Sequence, residues 1–166
     1  MEIVSVSSFL DYYTRIRERT NRIIQVIPPD KMDWSYKKGK FTIADVVRHI
    51  ACIERYMYAE TVLGNPSRYH GCGKELADGY EQVLSLFEEL HQESMAIFGS
   101  LHDSDLNRKC MTPAGVQITA RKWLRAMVEH EVHHRAQLYI YLNLLDVATP
   151  PIFGLTAEEV QANSQQ

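Results

Sequence analysis

Four long stretches of this 166-residue chain repeat their apolar residues with the period of an α-helix, and proline- or glycine-rich breaks separate them. A helix with one apolar face must bury that face against other elements, and four such helices favour a bundle. The chain is therefore predicted to be all-α, a four-helix bundle forming a single domain over residues 1–166. The first stripe advances in steps of four and three, through Phe9, Tyr13, Ile16, Thr20, Ile23 and Ile27.

Capping residues and prolines place the ends of the first two helices. Ser7 or Ser8 can cap the first helix, and Pro28-Pro29 ends it, because proline lacks the amide hydrogen that a helix interior needs. Thr42 and Asp45 have the spacing of a capping box, with Asp in place of the usual Glu. A second helix is therefore predicted over about residues 43–63.

The second half of the chain carries the remaining elements. A glycine-rich connection precedes a third helix, predicted over about residues 76–101. Thr112-Pro113-Ala114-Gly115 is a turn sequence between two short stretches and predicts a small hairpin. A fourth helix is predicted from Thr119 to Asp146, and beyond Pro150-Pro151 a short C-terminal helix begins at Thr156.

Composition and charge exclude several classes of function. A net charge of -3 and a pI near 6.2 lack the basic surface that nucleic acid requires, and no stretch approaches the ~18 apolar residues of a membrane span. We therefore expect neither a nucleic-acid nor a membrane partner. The N-terminus lacks the regions of a signal peptide, which predicts a cytoplasmic protein whose three widely spaced cysteines are free thiols.

The most informative motif is His130-Glu131-Val132-His133-His134 in the fourth predicted helix. Imidazoles four residues apart project from the same helical face, so His130 and His134 can bind one divalent ion. Taken literally, the string is the zinc-protease signature, with Glu131 as the base that activates a water molecule. Longer protease signatures require Gly and His further along, where Gln137 and Ile140 stand, so a protease is disfavoured.

A site with an open position needs a third protein ligand, and His49 is the candidate. Its helical spacing places it on the same stripe as Val46, Ile53 and Tyr56, an apolar stripe that should face the core. If the second and fourth helices run parallel, the stagger of the loops must bring His49 level with the other two histidines.

Three neighbours of the pair have open roles. His133 lies ~80° around the helix from the metal direction and is read as a flanking or exposed residue. Glu131 is equally compatible with a base beside the metal and with a solvated position. Gln137, one turn beyond His134, could hydrogen-bond a ligand, or it could be a buried amide bonded to another helix.

Three blocks of sequence resemble the DinB/YfiT-like superfamily of metal-binding four-helix bundles. They are Met32-Asp33-Trp34 with residues 39–50, then Thr112-Pro113-Ala114-Gly115, and then residues 130–138, which carry the histidine pair and the His-Arg-x-Gln sequence. The resemblance implies that His49, His130 and His134 coordinate one divalent ion, most often nickel or zinc, and that the protein is a homodimer. It implies no base role for Glu131 and no ligation by His133.

Two functions are compatible with these features. The first is a metal-dependent enzyme, either a hydrolase or a transferase of the thiol S-transferase type, in which the ion activates water or a low-molecular-weight thiol toward a small-molecule substrate. The second is a non-enzymatic, stress-related dimer that binds a metal or a ligand. Fold similarity alone does not choose between them.

Overall fold

The computed structural model describes residues 3–165, and its first helix, α1, spans Val6–Ile24. Its N-cap is Ser5, not Ser7 or Ser8 as predicted. The Ser5 hydroxyl accepts from the Ser8 amide, and the Ser8 hydroxyl accepts from the Ser5 amide. Ser8 is therefore the third residue of the capping box. The helix ends before Pro28-Pro29, as predicted.

The second helix begins at the predicted capping box and contains an irregularity that the sequence did not indicate. Helix α2 spans Ile43–Ile53, with Thr42 and Asp45 bonded reciprocally at its start. A π-helical turn over Glu54–Ala59 and a final turn over Glu60–Val62 continue it. Such a turn inserts extra chain and rotates the residues beyond it relative to a regular helix.

The remaining elements match the predicted order. Helix α3, Tyr80–Gly99, is shorter than predicted at its N-terminus, since Gly79 with φ 81° precedes its first residue. The two strands pair antiparallel with Cys110 opposite Ile118, which confirms the hairpin. The further elements are α3 over Tyr80–Gly99, a 3₁₀ turn over Asp103–Asn107, β1 over Lys109–Met111, β2 over Gln117–Thr119, α4 over Ala120–Leu144 and α5 over Ala157–Ser164.

Helices α2 and α4 run antiparallel, so the parallel arrangement considered above is wrong. At one end the Tyr141 hydroxyl donates to the carbonyl of Phe41, just before α2. At the other end the indole of Trp123 donates to the hydroxyl of Thr61, 2.7 Å away. Antiparallel packing brings the start of α2 beside the C-terminal half of α4, which aligns the histidines without any loop stagger.

The other helix pairs complete an up-down-down-up bundle. Tyr13 and Ile16 of α1 meet Glu131 and Arg135 of α4 in the same chain order, so these helices are parallel. Phe9 packs on Phe98 near the end of α3, so α1 and α3 are antiparallel. It follows that α2 and α3 run parallel, and residues 63–79 must return along the bundle between them. We call residues 63–79 the crossover.

A fully buried arginine fixes the crossover to α2. The Arg48 guanidinium donates to the carbonyls of Cys72 and Ala77, at 2.8 and 2.9 Å. Two adjoining clusters of buried apolar side chains fill the bundle, one toward each end. Among the helices described in residues 3–165, none has the length and apolar character to cross a membrane.

Candidate metal centre

Three histidines from two helices converge at the α2–α4 interface. One ring nitrogen from each of His49, His130 and His134 can be chosen so that all three lie within 4.8 Å of one another. The Nε2 atoms of His49 and His130 are 3.1 Å apart, and the His134 ring lies 4.7 Å from that of His49, centroid to centroid. All three side chains are partly exposed, so small molecules in solvent can reach them.

A hydrogen-bond chain that ends on a backbone carbonyl sets the orientation of His134. The carbonyl of Phe41 can only accept, so the Tyr141 hydroxyl donates to it at 3.2 Å. The Tyr141 oxygen accepts from Gln137 Nε2 at 2.8 Å, which leaves Gln137 Oε1 facing His134 Nδ1 at 2.9 Å. His134 must therefore carry its hydrogen on Nδ1, and its Nε2 lone pair is available to a ligand. Gln137 therefore has the contact with a candidate ligand that was considered for it, but the alternative bond to another helix is wrong, because Tyr141 lies on the same helix.

A tyrosine of the crossover holds His49. The Tyr69 hydroxyl lies 2.9 Å from His49 Nδ1, and the two rings meet edge to face. This contact orients the ring and leaves Nε2 facing His130. Sequence patterns gave no sign of Tyr69, because it stands in a loop without a recognisable motif, and only the path of the crossover over α2 brings it to the site.

The three imidazoles are held in the neutral form. Burial lowers the pKa of His49 to about 4, with His134 adding to the shift, and burial with the neighbouring histidines lowers the pKa of His130 to about 3. Burial also lowers the pKa of His134, against the opposing hydrogen bond to Gln137. Among the described residues, no carboxylate contributes to these shifts. Neutral imidazole nitrogens are the donors that nickel, zinc and copper prefer, so the cluster fits such an ion.

Glu131 lies in the motif but takes no part in the cluster, and both roles considered for it are wrong. It is 1% exposed and turns toward α1, where it accepts from the Tyr13 hydroxyl at 2.7 Å and the Thr20 hydroxyl at 2.6 Å. Arg17 lies 3.0 Å away and also pairs with the buried Glu54. The one signal in the sequence was Thr20, a polar residue in an otherwise apolar stripe.

The buried network around Glu131 is structural. Burial raises the pKa of Tyr13 well above its ordinary value, so the phenol stays protonated and donates a hydrogen bond to the Glu131 carboxylate. The Arg17 guanidinium lies 4.2 Å from the centre of the Phe87 ring, and His91 bonds the second oxygen of Glu54 at 2.8 Å. With both of its oxygens engaged by donors from α1, the Glu131 carboxylate is not available as a base.

His133 is exposed and lies outside the cluster, as expected for a flanking residue. Its ring lies 4.9 Å from that of His134. Aromatic side chains border the cluster elsewhere: Phe41 lies 5.3 Å from His49, while Trp34 and Tyr36 lie 5.4 and 5.8 Å from Tyr141. These neighbours come from the segment before α2.

Comparison with known proteins agrees with this architecture. The DinB superfamily pattern matches residues 12–138. The uncharacterized protein YjoA of Bacillus subtilis is 24% identical over 151 residues, covering 89% of this chain and 93% of its own. A DinB-like protein from Bacillus cereus has a solved structure with a TM-score of 0.74 at 17% identity, covering 89% of this chain and 97% of its own.

Two further solved structures share the fold. YfiT from Bacillus subtilis, whose structure is described as that of a probable metal-dependent hydrolase with an unusual four-helix bundle topology, has a TM-score of 0.67 at 20% identity, over 86% of this chain and 89% of its own. A mycothiol-dependent maleylpyruvate isomerase has a TM-score of 0.60 at 16% identity, and this chain spans 60% of its length. At these identities the likeness concerns the fold.

Proposed function

Since this chain belongs to the DinB superfamily, we propose that His49, His130 and His134 hold one divalent transition-metal ion, nickel or zinc, at the centre of an enzymatic site. The observation that carries this proposal is the convergence of three neutral imidazoles from two helices. YfiT, described as a probable metal-dependent hydrolase and similar in fold, supports it. When bound, such an ion supplies Lewis acidity that lowers the pKa of a thiol or a water molecule beside it.

The surroundings of the cluster favour a thiol over water. Among the described residues, no carboxylate contributes to the pKa shifts of the three histidines, and both oxygens of Glu131 accept hydrogen bonds from α1. The site therefore offers no carboxylate that could act as a base toward water. A thiol that coordinates such an ion is deprotonated outright, whereas coordinated water keeps a pKa of about 7, so a thiol needs less help from a protein base. We infer a transferase in which a low-molecular-weight thiol forms a sulfur–carbon bond with a small electrophile. The leaving group departs with its electron pair, and the thiol proton passes to solvent.

The protein's own residues then orient the site. Gln137 and Tyr141 fix the tautomer of His134, and Tyr69 fixes the ring of His49. The mycothiol-dependent isomerase of the same fold supports a thiol as partner, while the description of YfiT supports the second candidate, hydrolysis. A homodimer, which the resemblance implies, is part of the proposal.

Metal analysis of matched histidine variants tests the site. His130→Ala removes a member of the cluster, and His133→Ala removes an exposed histidine three residues along the same helix. We expect about one equivalent of ion in the wild type and in His133→Ala, and substoichiometric metal in His130→Ala. Equal loss in both variants, or retention in both, contradicts the assignment.

A thiol-transfer screen tests the chemistry. Metal-loaded protein, metal-free protein and His130→Ala are compared for consumption of a panel of electrophiles with small thiols, and for hydrolysis without them. Turnover that needs both metal and thiol supports the transferase. Turnover without a thiol supports the hydrolase, and stoichiometric metal with no turnover on either panel supports the non-enzymatic alternative.

A further inference from the structure

One side of the three-histidine cluster is bordered by a loop rich in lysine, residues 35–41, with the sequence Ser-Tyr-Lys-Lys-Gly-Lys-Phe. We call these residues the lysine loop. Its last residue, Phe41, places its ring 5.3 Å from His49 and its carbonyl on the Tyr141 hydroxyl. Near its other end, the Tyr36 ring lies 5.8 Å from that of Tyr141. The loop is therefore attached at both ends to the surroundings of the cluster.

The lysine loop has a defined turn. The Lys40 amide donates to the Lys37 carbonyl at 3.1 Å, and the Ser35 hydroxyl donates to the same carbonyl at 3.1 Å. Gly39 has φ 78°, a left-handed conformation that favours glycine and lets the chain reverse. The turn presents Lys37, Lys38 and Lys40 to solvent, since all three residues are exposed.

The charges of the lysine loop are not neutralised by acids. Within residues 3–165, Lys37, Lys38 and Lys40 form no ion pair, whereas Lys31 pairs with Asp30 and Lys74 with Asp33. The cluster beside the loop consists of neutral imidazoles, so an ion held there keeps its full positive charge. Positive charge concentrated on one side of the cluster raises the local concentration of anions and strengthens their binding.

We propose that the molecule bound at this site carries an anionic oxygen group, a carboxylate or a phosphate, which the lysine loop recognises. The rings of Tyr36 and Phe41 pack against the apolar part of that molecule. This inference rests on the proposed function, because it assigns the charge of the thiol or substrate that reaches the histidines. It makes the lysine loop the specificity-determining segment of the site.

Two thiols of equal length but different charge test the proposal. Cobalt-loaded protein is titrated with 3-mercaptopropionate and with 3-mercapto-1-propanol, and binding is followed by the cobalt absorption bands. Exposed charge pairs each contribute a few-fold, so three lysines should favour the anionic thiol by about tenfold at low salt. K37Q/K38Q/K40Q should reduce that preference to near unity. The matched control, K109Q/K122Q/R125Q, removes the same charge around the hairpin and the start of α4 and should keep it.

The outcomes separate this inference from the proposed function. If both thiols bind cobalt and the loop variant keeps the wild-type preference, the inference is wrong and the proposed function stands. If neither thiol perturbs the cobalt bands, the proposed thiol chemistry fails, and calorimetric titration of metal-free protein with phenyl phosphate decides the inference. Binding that the loop variant loses and the control variant keeps supports it, and no binding to the wild type overturns it.

Discussion

Replacement of Glu131 by glutamine distinguishes a structural carboxylate from a catalytic base. In the structure this side chain is 1% exposed, accepts hydrogen bonds from Tyr13 and Thr20, and forms an ion pair with Arg17. Glu131→Gln keeps the size of the side chain but removes its charge, so Arg17 loses one of its two buried anions. The Tyr13 and Thr20 hydroxyls each donate to one oxygen of the carboxylate, and in the variant one of them faces the amide NH₂ group, which is itself a donor. We therefore expect a large loss of stability and an intact metal site.

The magnitude follows from the contacts that change. A hydrogen bond to a charged group contributes about 1.5–3 kcal/mol, and breaking a buried ion pair on one side costs about 3–5 kcal/mol. Because Arg17 retains Glu54 and glutamine retains one acceptor oxygen, we expect a loss of about 3 kcal/mol. For a chain of this size, that corresponds to a melting temperature lower by about 6–12 °C.

Urea unfolding followed by circular dichroism measures the loss, and metal analysis with the thiol-transfer assay measures the function. The double variant Arg17→Met, Glu131→Gln should be less destabilised than the sum of the single variants, because the two side chains interact directly. A Glu131→Gln protein as stable as the wild type but inactive with metal bound would refute this reasoning and restore Glu131 as a base.

Three further predictions follow. Gln137→Leu removes the acceptor that orients His134 and should weaken binding of zinc by about 10- to 100-fold in a chelator competition. Metal-free protein should lose stability as the pH falls from 6.5 toward 4. In the folded state His49 and His130 have pKa values of about 4 and about 3, so they stay neutral in this range, whereas the same histidines bind protons in the unfolded chain. Urea midpoints at pH 7 and pH 5 check this sign, and His130→Ala should show the smaller decrease. Thr42→Ala removes the cap at the start of α2 and should cost about 1 kcal/mol in the same assay, with metal content unchanged.

Predictions that depend on local chemistry agreed best with the structure. The capping box at Thr42, the hairpin around Thr112-Pro113-Ala114-Gly115 and the start of α4 at Thr119 depend on neighbouring residues alone, and the structure has all three. The Thr119 hydroxyl, however, makes no capping hydrogen bond. The N-cap of α1 was misplaced by two or three positions, because Ser5, Ser7 and Ser8 are all suitable capping residues. A single domain over residues 1–166 and a cytoplasmic location stay predictions.

Helical periodicity was sufficient to predict the histidine pair and the all-α fold class of the chain. A spacing of four residues on an amphipathic helix places His130 and His134 on one face whatever the rest of the chain does. The sequence also supplied His49 as a partner, since a histidine on an apolar stripe points toward the interior. These inferences rest on helical periodicity, which is a local property.

How these residues meet, and which neighbours they contact, depends on the packing of the helices against one another. The antiparallel packing of α2 on α4 aligns His49 with the pair, and the crossover brings Tyr69 to it. The same packing turns Glu131 toward α1, where Tyr13, Thr20 and Arg17 engage it. Helix direction and buried partners depend on contacts between residues 62 to 118 positions apart, and periodicity along one helix carries no information about them.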